Sequence, residues 1–302
     1  MKTTPISDSS QSSVFFYRGT SYAYKSDYEK AIIDYDHTIS LDHKFAIAYN
    51  NLGNVYNEKG EKDKALENYN LAISLDPKDA AAYNNRGVIY SEKGDKDKAI
   101  ENYDFAISLD SKIPYTYNNR GVIYSEKGDY DKALDNFNRA ISLNPKYANA
   151  YGNRGLVYKD KGDYDKALEN FDRVISLNPK DAIAYNNRGL IYSEKGEKDK
   201  ALENYNFAIS LDPKYAPAYN NRSGIFYGKG EKDKALENLD RAISLNPKYA
   251  DAYSNRGIVF YAKGEKAEAL KNWKKAVELY LSQGNTSMAL RLSDAIKQLE
   301  GN

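Results

Sequence analysis

The chain has no cysteine, one tryptophan, two methionines and two histidines in 302 residues. Without cysteine there is no disulfide, no cysteine zinc site, no cysteine-held iron–sulfur cluster and no thiol nucleophile. With so few histidines the commonest proton-transfer side chain is nearly missing. Charge of one sign is also missing: 44 Lys+Arg face 43 Asp+Glu, a formal net charge of +1. That balance lacks the basic excess by which nucleic-acid binders engage phosphates, so no nucleic-acid partner is expected. Met1 to Ser13 are polar with one lysine, and no later run has the apolar length of a signal sequence or membrane span. The expectation is a soluble, cytoplasmic protein with no membrane partner. P-loop, dinucleotide-binding glycine, HExxH and EF-hand patterns are absent. His37 and His43 have no triad-like company. No catalytic residue, metal site or cofactor is expected, and the chain reads as non-enzymatic.

What is abundant is tyrosine, 29 in all, and it comes in register. The block from Ala48 to Tyr56, Ala-Tyr-Asn-Asn-Leu-Gly-Asn-Val-Tyr, returns from Ala82 to Tyr90, and related blocks start at Thr116, Ala150, Ala184, Ala218 and Ala252, each 34 residues on. If the first tyrosine of the block is the fourth position of a unit, units begin at Ser12, Ala46, Ala80, Pro114, Ala148, Ala182, Ala216 and Ala250. Eight units cover 12–45, 46–79, 80–113, 114–147, 148–181, 182–215, 216–249 and 250–283. Residues 1–11 read as a disordered N-terminal segment and 284–302 as a capping helix. "Position" below means the place within a unit.

Each unit predicts two helices. In the second unit Tyr49, Gly53 and Tyr56 share one helical face, and Gly60 closes that helix. Ala65, Tyr69, Ala72 and Ile73 mark the face of the next, which ends at Pro77. Small residues at positions 8, 20 and 27 let helices approach, and rings at positions 4, 11 and 24 fill the space between them. Most tyrosines fall on those ring positions and read as packing. Tyr49, Gly53, Tyr56, Ala65, Tyr69, Ala72 and Pro77 at this period resemble the tetratricopeptide repeat, over about nine tenths of the chain. The resemblance implies an all-α, right-handed superhelical solenoid of antiparallel helix pairs, with the first helices lining a concave groove. The first unit departs at Ser26, Thr38 and His43 and reads as a cap. Ser223 replaces the position-8 glycine of the seventh unit. Leu281 replaces the last proline, so the final second helix is expected to run to about Ser282. Beyond it, Thr286 or Ser287 is expected to cap a helix whose apolar face is Met288, Leu292, Ala295, Ile296 and Leu299.

Positions 2, 5, 6, 9, 12 and 13 form a stripe on the first helix. Position 6 is asparagine in seven consecutive units: Asn51, Asn85, Asn119, Asn153, Asn187, Asn221 and Asn255. Position 5 adds Asn50, Asn84, Asn118, Asn186 and Asn220. A carboxamide both donates and accepts, so a row of them suits the N–H and C=O of an extended main chain. Asn51, Asn85, Asn119, Asn153, Asn187, Asn221 and Asn255, with Asn84, Asn118 and Asn186, are the candidate peptide-binding residues. The competing reading gives the row a role in hydrogen bonds between units. A carboxylate clamp of the kind some family members use is missing, because positions 2 and 5 of units two to eight hold no lysine. Position 13 supplies an acidic edge, Glu58, Glu92, Glu126, Asp160 and Glu194, and Tyr227 and Tyr261 make the C-terminal end aromatic. A neutral to basic extended protein segment fits this stripe best. The alternative function is self-association into a structural assembly.

Position 7 is arginine in every unit except the second: Arg18, Arg86, Arg120, Arg154, Arg188, Arg222 and Arg256. Position 23 is asparagine from Asn68 onward. The expectation is a structural arginine with its stem packed between helices and its head on carbonyls, the position-23 amide or carboxylates; the competing reading is a basic ladder for phosphate or carboxylate, which the near-balanced charge and flanking glutamates disfavour.

Overall fold

The computed structural model describes residues 8–300. Among them lie seventeen α-helices and no strand. Contacts divide the chain into two compact units that meet in sequence at Asn153 and Arg154. Residues 1–7 of the expected irregular segment lie outside the described residues. Residues 8–11 belong to the first helix, α1 (Asp8–Tyr24).

The first compact unit holds α1, α2 (Tyr28–Leu41), α3 (Ala46–Glu58), α4 (Lys62–Leu75), α5 (Ala80–Glu92), α6 (Lys96–Leu109), α7 (Pro114–Glu126) and α8 (Tyr130–Leu143). Helix α9 (Ala148–Asp160) opens the fifth repeat. The second unit continues with α10 (Tyr164–Leu177), α11 (Ala182–Glu194), α12 (Lys198–Leu211), α13 (Ala216–Gly228), α14 (Lys232–Leu245), α15 (Ala250–Ala262), α16 (Lys266–Ser282) and α17 (Thr286–Glu300). Within each, consecutive helices pack as pairs, and each pair packs on the next.

The sequence sets every boundary. A position-15 glycine with φ near +80°, such as Gly94 at 81°, ends the first helix of the second to eighth repeats in the left-handed conformation. Ser26 adopts φ 59° at that place in the first repeat. The position-20 alanines, Ala31 through Ala269, are fully buried. At position 8 the fit is tight: a Cβ on Gly53 would lie 2.6 Å from Tyr69, and one on Gly121 2.7 Å from Phe137. The glycine is therefore what lets the position-24 ring lie flat against the first helix. Ser223 escapes that conflict because its partner ring is replaced by Leu239.

At the C-terminus α16 runs to Ser282 as expected. The cap of α17 is Asn285, whose Oδ1 accepts from the Met288 N–H. Its buried face is Ala289 and Ile296 with Leu292 and Leu299 beside them. Met288 and Ala295 are exposed, one turn-step away from the face assigned to them.

Candidate functional site

Two rows of polar side chains cross from repeat to repeat. The first is built from positions 5 and 6 of the first helices. Asn85 Nδ2 donates to Asn50 Oδ1 at 3.1 Å and to Asn54 Oδ1 at 3.0 Å. Asn119 donates to Asn84 at 3.3 Å and Asn153 to Asn118 at 2.9 Å. In the second compact unit Asn221 donates to Asn186 at 3.0 Å and Asn255 to Asn220 at 2.9 Å. Within a repeat the bond runs the other way in sequence, from the position-5 amide to the position-6 oxygen, as from Asn84 to Asn85 at 3.2 Å. Asn118, Asn186 and Asn220 repeat it.

The two positions differ in burial. Asn84, Asn118 and Asn186, expected to touch a ligand, are buried, and their oxygens or amides hold the position-6 side chains. Each is thereby committed to a position-6 neighbour. The position-6 side chains of Asn51, Asn85, Asn119, Asn153, Asn187, Asn221 and Asn255 are all half-buried. A carboxamide has two N–H groups and two acceptor lone pairs. Asn119 uses one N–H on Asn84 and one lone pair on Asn118, which leaves one of each. Asn221 has the same remainder. Asn85 uses both N–H groups. Asn187 accepts a long bond from Asn186, and the repeat before it has Gly152 at position 5 in place of an amide.

The second row is the arginine clamp. Arg86 Nε donates to Asn102 Oδ1 at 2.7 Å and its Nη1 to Asn70 Oδ1 at 2.8 Å. The head thus joins position 23 of its own repeat to position 25 of the previous one. Arg120 binds Asn136 and Asp104 in the same way. Arg188 binds Asn204 and Asp172, Arg222 binds Asn238 and Asn206, and Arg256 binds Asn272 and Asp240. Each position-23 amide is itself fixed by donating to the carbonyl four residues back, as Asn102 does to Lys98 at 2.8 Å. The planar heads lie over position-4 rings, with the Arg86 guanidinium carbon 5.3 Å from the centre of Tyr83 and that of Arg256 5.3 Å from the centre of Tyr253. In the first repeat Arg18 grips Asp34 with two bonds, 2.7 and 2.6 Å, and that hydrogen bonding raises the guanidinium pKa. Burial lowers the pKa of Arg222, whose two amide partners carry no charge. The expected structural arginine is therefore observed. What sequence reasoning missed was position 25, where Asp36, Asn70, Asp104, Asn138, Asp172, Asn206 and Asp240 alternate. That alternation was the available signal.

The acidic edge is partly neutralised. Lys62 at position 17 lies 3.2 Å from Glu92 of the next repeat, and Lys96 lies 3.1 Å from Glu126. Where position 13 has lost its carboxylate, Lys198 and Lys232 donate to the carbonyls of Gly228 and Ala262. Asp160 pairs with Lys159. Glu58 and Glu194 follow repeats in which position 17 is Tyr28 and Tyr164, and neither makes an ion pair among the described residues. A cavity of about 380 Å³ opens beside Glu58, with Thr20, Tyr24, Tyr28, Asn51 and Asn54 on its walls. At the other end of the chain Tyr227, Ile258 and Tyr261 are exposed. Among the described residues no cluster of His, Asp and Glu could hold a metal, and no helix is long and apolar enough to cross a membrane.

Comparison with known families agrees with this geometry. Profiles described as TPR repeat match residues 19–60, 53–94, 155–196 and 224–264. Profiles described as tetratricopeptide repeat match 80–112, 114–147, 182–215, 136–169 and 250–291. No curated protein sequence matches the chain. Among solved structures it is similar to a tetratricopeptide repeat protein from Parabacteroides merdae, at 24% identity over 82% of this chain and 98% of that one, TM-score 0.68. It is also similar to Pseudomonas aeruginosa pilF, at 21% identity over 72% of this chain and 97% of that one, TM-score 0.62. Yeast Tom70 aligns over 99% of this chain and 66% of its own, at 20% identity and TM-score 0.62. At those identities the likeness is one of fold, and it is the repeat profiles, laid over most of its length, that place the chain in the tetratricopeptide repeat family.

Proposed function

We propose that the chain is a non-enzymatic scaffold that holds an extended, neutral to basic protein segment along the first-helix stripe. The position-6 asparagines grip its main chain. The observation that carries this reading is their unused capacity: Asn119 and Asn221 are half-buried, locked in orientation by their neighbours, and each keeps one donor and one acceptor. A peptide unit offers the complementary pair. Because these contacts are uncharged, affinity should respond weakly to salt.

The test starts from peptides selected on the intact protein from a random twelve-residue display library. Asn119→Ala with Asn153→Ala should weaken a selected peptide roughly five- to hundredfold, from about 0.5–1.5 kcal/mol per lost bond. Unchanged affinity in a variant that still melts cooperatively would reduce the asparagine row to framework.

A second reading, self-association, is favoured by apolar side chains on the second helices. Leu71 and Phe105, and in the second compact unit Phe207, are more than two-fifths exposed. Light scattering over a concentration series separates the two readings: a constant monomer mass sets self-association aside, and a mass that climbs and falls back with Phe105→Ser supports it.

A further inference from the structure

Position 17 is the N-terminal residue of each second helix, and where it is lysine and position 13 of the next repeat is glutamate the two pair, as Lys62 does with Glu92 and Lys96 with Glu126. Between the first and second repeats that lysine is Tyr28. The substitution does two things. It leaves Glu58 without a cationic partner among the described residues, and it puts a ring where an ammonium would stand. Position 9, an aliphatic residue at most later repeats, is Thr20 and Asn54 here, which keeps the floor small and polar.

The Asn54 oxygen accepts from Tyr69 at 2.8 Å and from Asn85 at 3.0 Å, so its orientation is fixed. The Tyr35 hydroxyl donates to Thr20 at 3.2 Å. Tyr24 is 92% exposed at the rim. The cavity of about 380 Å³ thus combines one unpaired carboxylate, two accessible rings and oriented amides. It is closed to no ligand by an internal lysine, in contrast to the next two junctions.

We propose that this cavity is a subsite for one lysine or arginine side chain of the bound segment. The stem would lie against Tyr24 and Tyr28, and the cationic head would meet the Glu58 carboxylate. Two ordinary interactions cooperate there: attraction of a cation to ring faces, and a charge-assisted hydrogen bond. The chain already stacks its own lysines on tyrosines in this way, with Lys64 5.1 Å from the centre of Tyr56 and Lys98 5.3 Å from that of Tyr90. The volume is at the small end for a ligand pocket and suits a side chain better than a free metabolite. The subsite fixes both the register and the direction of a segment that the asparagine row would otherwise hold without side-chain preference. It rests on the peptide reading above.

The experiment is a parallel selection from the same twelve-residue display library on the wild-type chain, on Glu58→Gln, on Tyr28→Lys and on Glu194→Gln. Wild type and Glu194→Gln should enrich lysine or arginine at one fixed place in the aligned peptides. Glu58→Gln should lose most of that enrichment, about tenfold. Tyr28→Lys, which restores the ion pair found at the next two junctions, should abolish it. Melting curves confirm that both variants fold, and two independent substitutions keep the test decisive if one does not. Synthetic peptides differing only by Lys, Arg or norleucine at that place then show which head is preferred. Selected peptides that keep binding through the asparagines but show no basic residue at a fixed place, or keep it in both variants, overturn the subsite alone. Selection of no peptide at all overturns the peptide reading and the subsite with it.

Discussion

The asparagine row and the arginine clamp both tie repeat to repeat with hydrogen bonds, yet they end in different states. The guanidinium groups of Arg86, Arg120, Arg188, Arg222 and Arg256 are each taken up on both sides, as Arg188 is by Asn204 and Asp172, and that head lies over the Tyr185 ring. Asn119 and Asn221 at position 6 are likewise each held by two neighbours and still keep one donor and one acceptor. A side chain whose bonding is complete contributes to the stack. One that is oriented but incomplete can still bond a group from outside the stack.

Both rows stand on the packing beneath them, so the largest effect is expected there. Phe137, fully buried against Gly121, should cost about 3–5 kcal/mol on truncation to Ala, read as a fall in melting temperature. A small loss would mean that repeats are held mainly by their polar rows. Alkaline pH attacks the same layer. Burial raises the pKa of Tyr249 from the ordinary 10.0 to about 12, and burial likewise raises those of Tyr69, Tyr103 and Tyr205. A proton held more tightly by the folded chain means stability fully present below pH 10 and falling as pH climbs from there through about 12. A denaturant midpoint that stays flat from pH 9 to 11.5 would contradict that burial.

The next effects divide the rows. Arg120→Ala should cost roughly 1–3 kcal/mol, because it abandons Asn136 and Asp104 together, and should leave peptide affinity nearly unchanged. Asn119→Ala should cost less, about 0.5–1.5 kcal/mol, since it deprives the buried Asn84 oxygen of a donor. Asn187→Ala should cost least, within about 0.5 kcal/mol, as its one bond is a long acceptance from Asn186. Chemical denaturation of the three variants tests the order. If Asn187→Ala proved as damaging as Arg120→Ala, the distinction between the rows would dissolve.

How much of this could be read from residues alone follows from what repeats. The helix pairs, the glycine stops and the position-7 to position-23 pairing recur at a fixed interval, so periodicity exposes them. Burial of Asn84, Asn118 and Asn186 was not legible, because neighbouring positions on a helix differ by 100° of rotation and two adjacent asparagines look alike in a sequence. The partner of the arginine head at position 25 belongs to the preceding repeat, and only the stacking of pairs brings it near. The cavity at Glu58 was hidden for the opposite reason. It arises where the repeat is broken, by Tyr28 and Asn54, and a search for regularity passes over such places. On α17, the assigned face was off by one step at Met288 because Ala289, a small residue, is the one that fits against the last repeat.

The central claim is that position-6 asparagines grip a main chain. The most direct measurement is a double-mutant cycle by titration calorimetry. It pairs Asn187→Ala with methylation of single backbone nitrogens along a display-selected peptide. Each change alone should weaken binding roughly two- to tenfold. At one nitrogen the two together should do no more than either alone, because they remove the same hydrogen bond. Purely additive losses at every nitrogen along the peptide would contradict it.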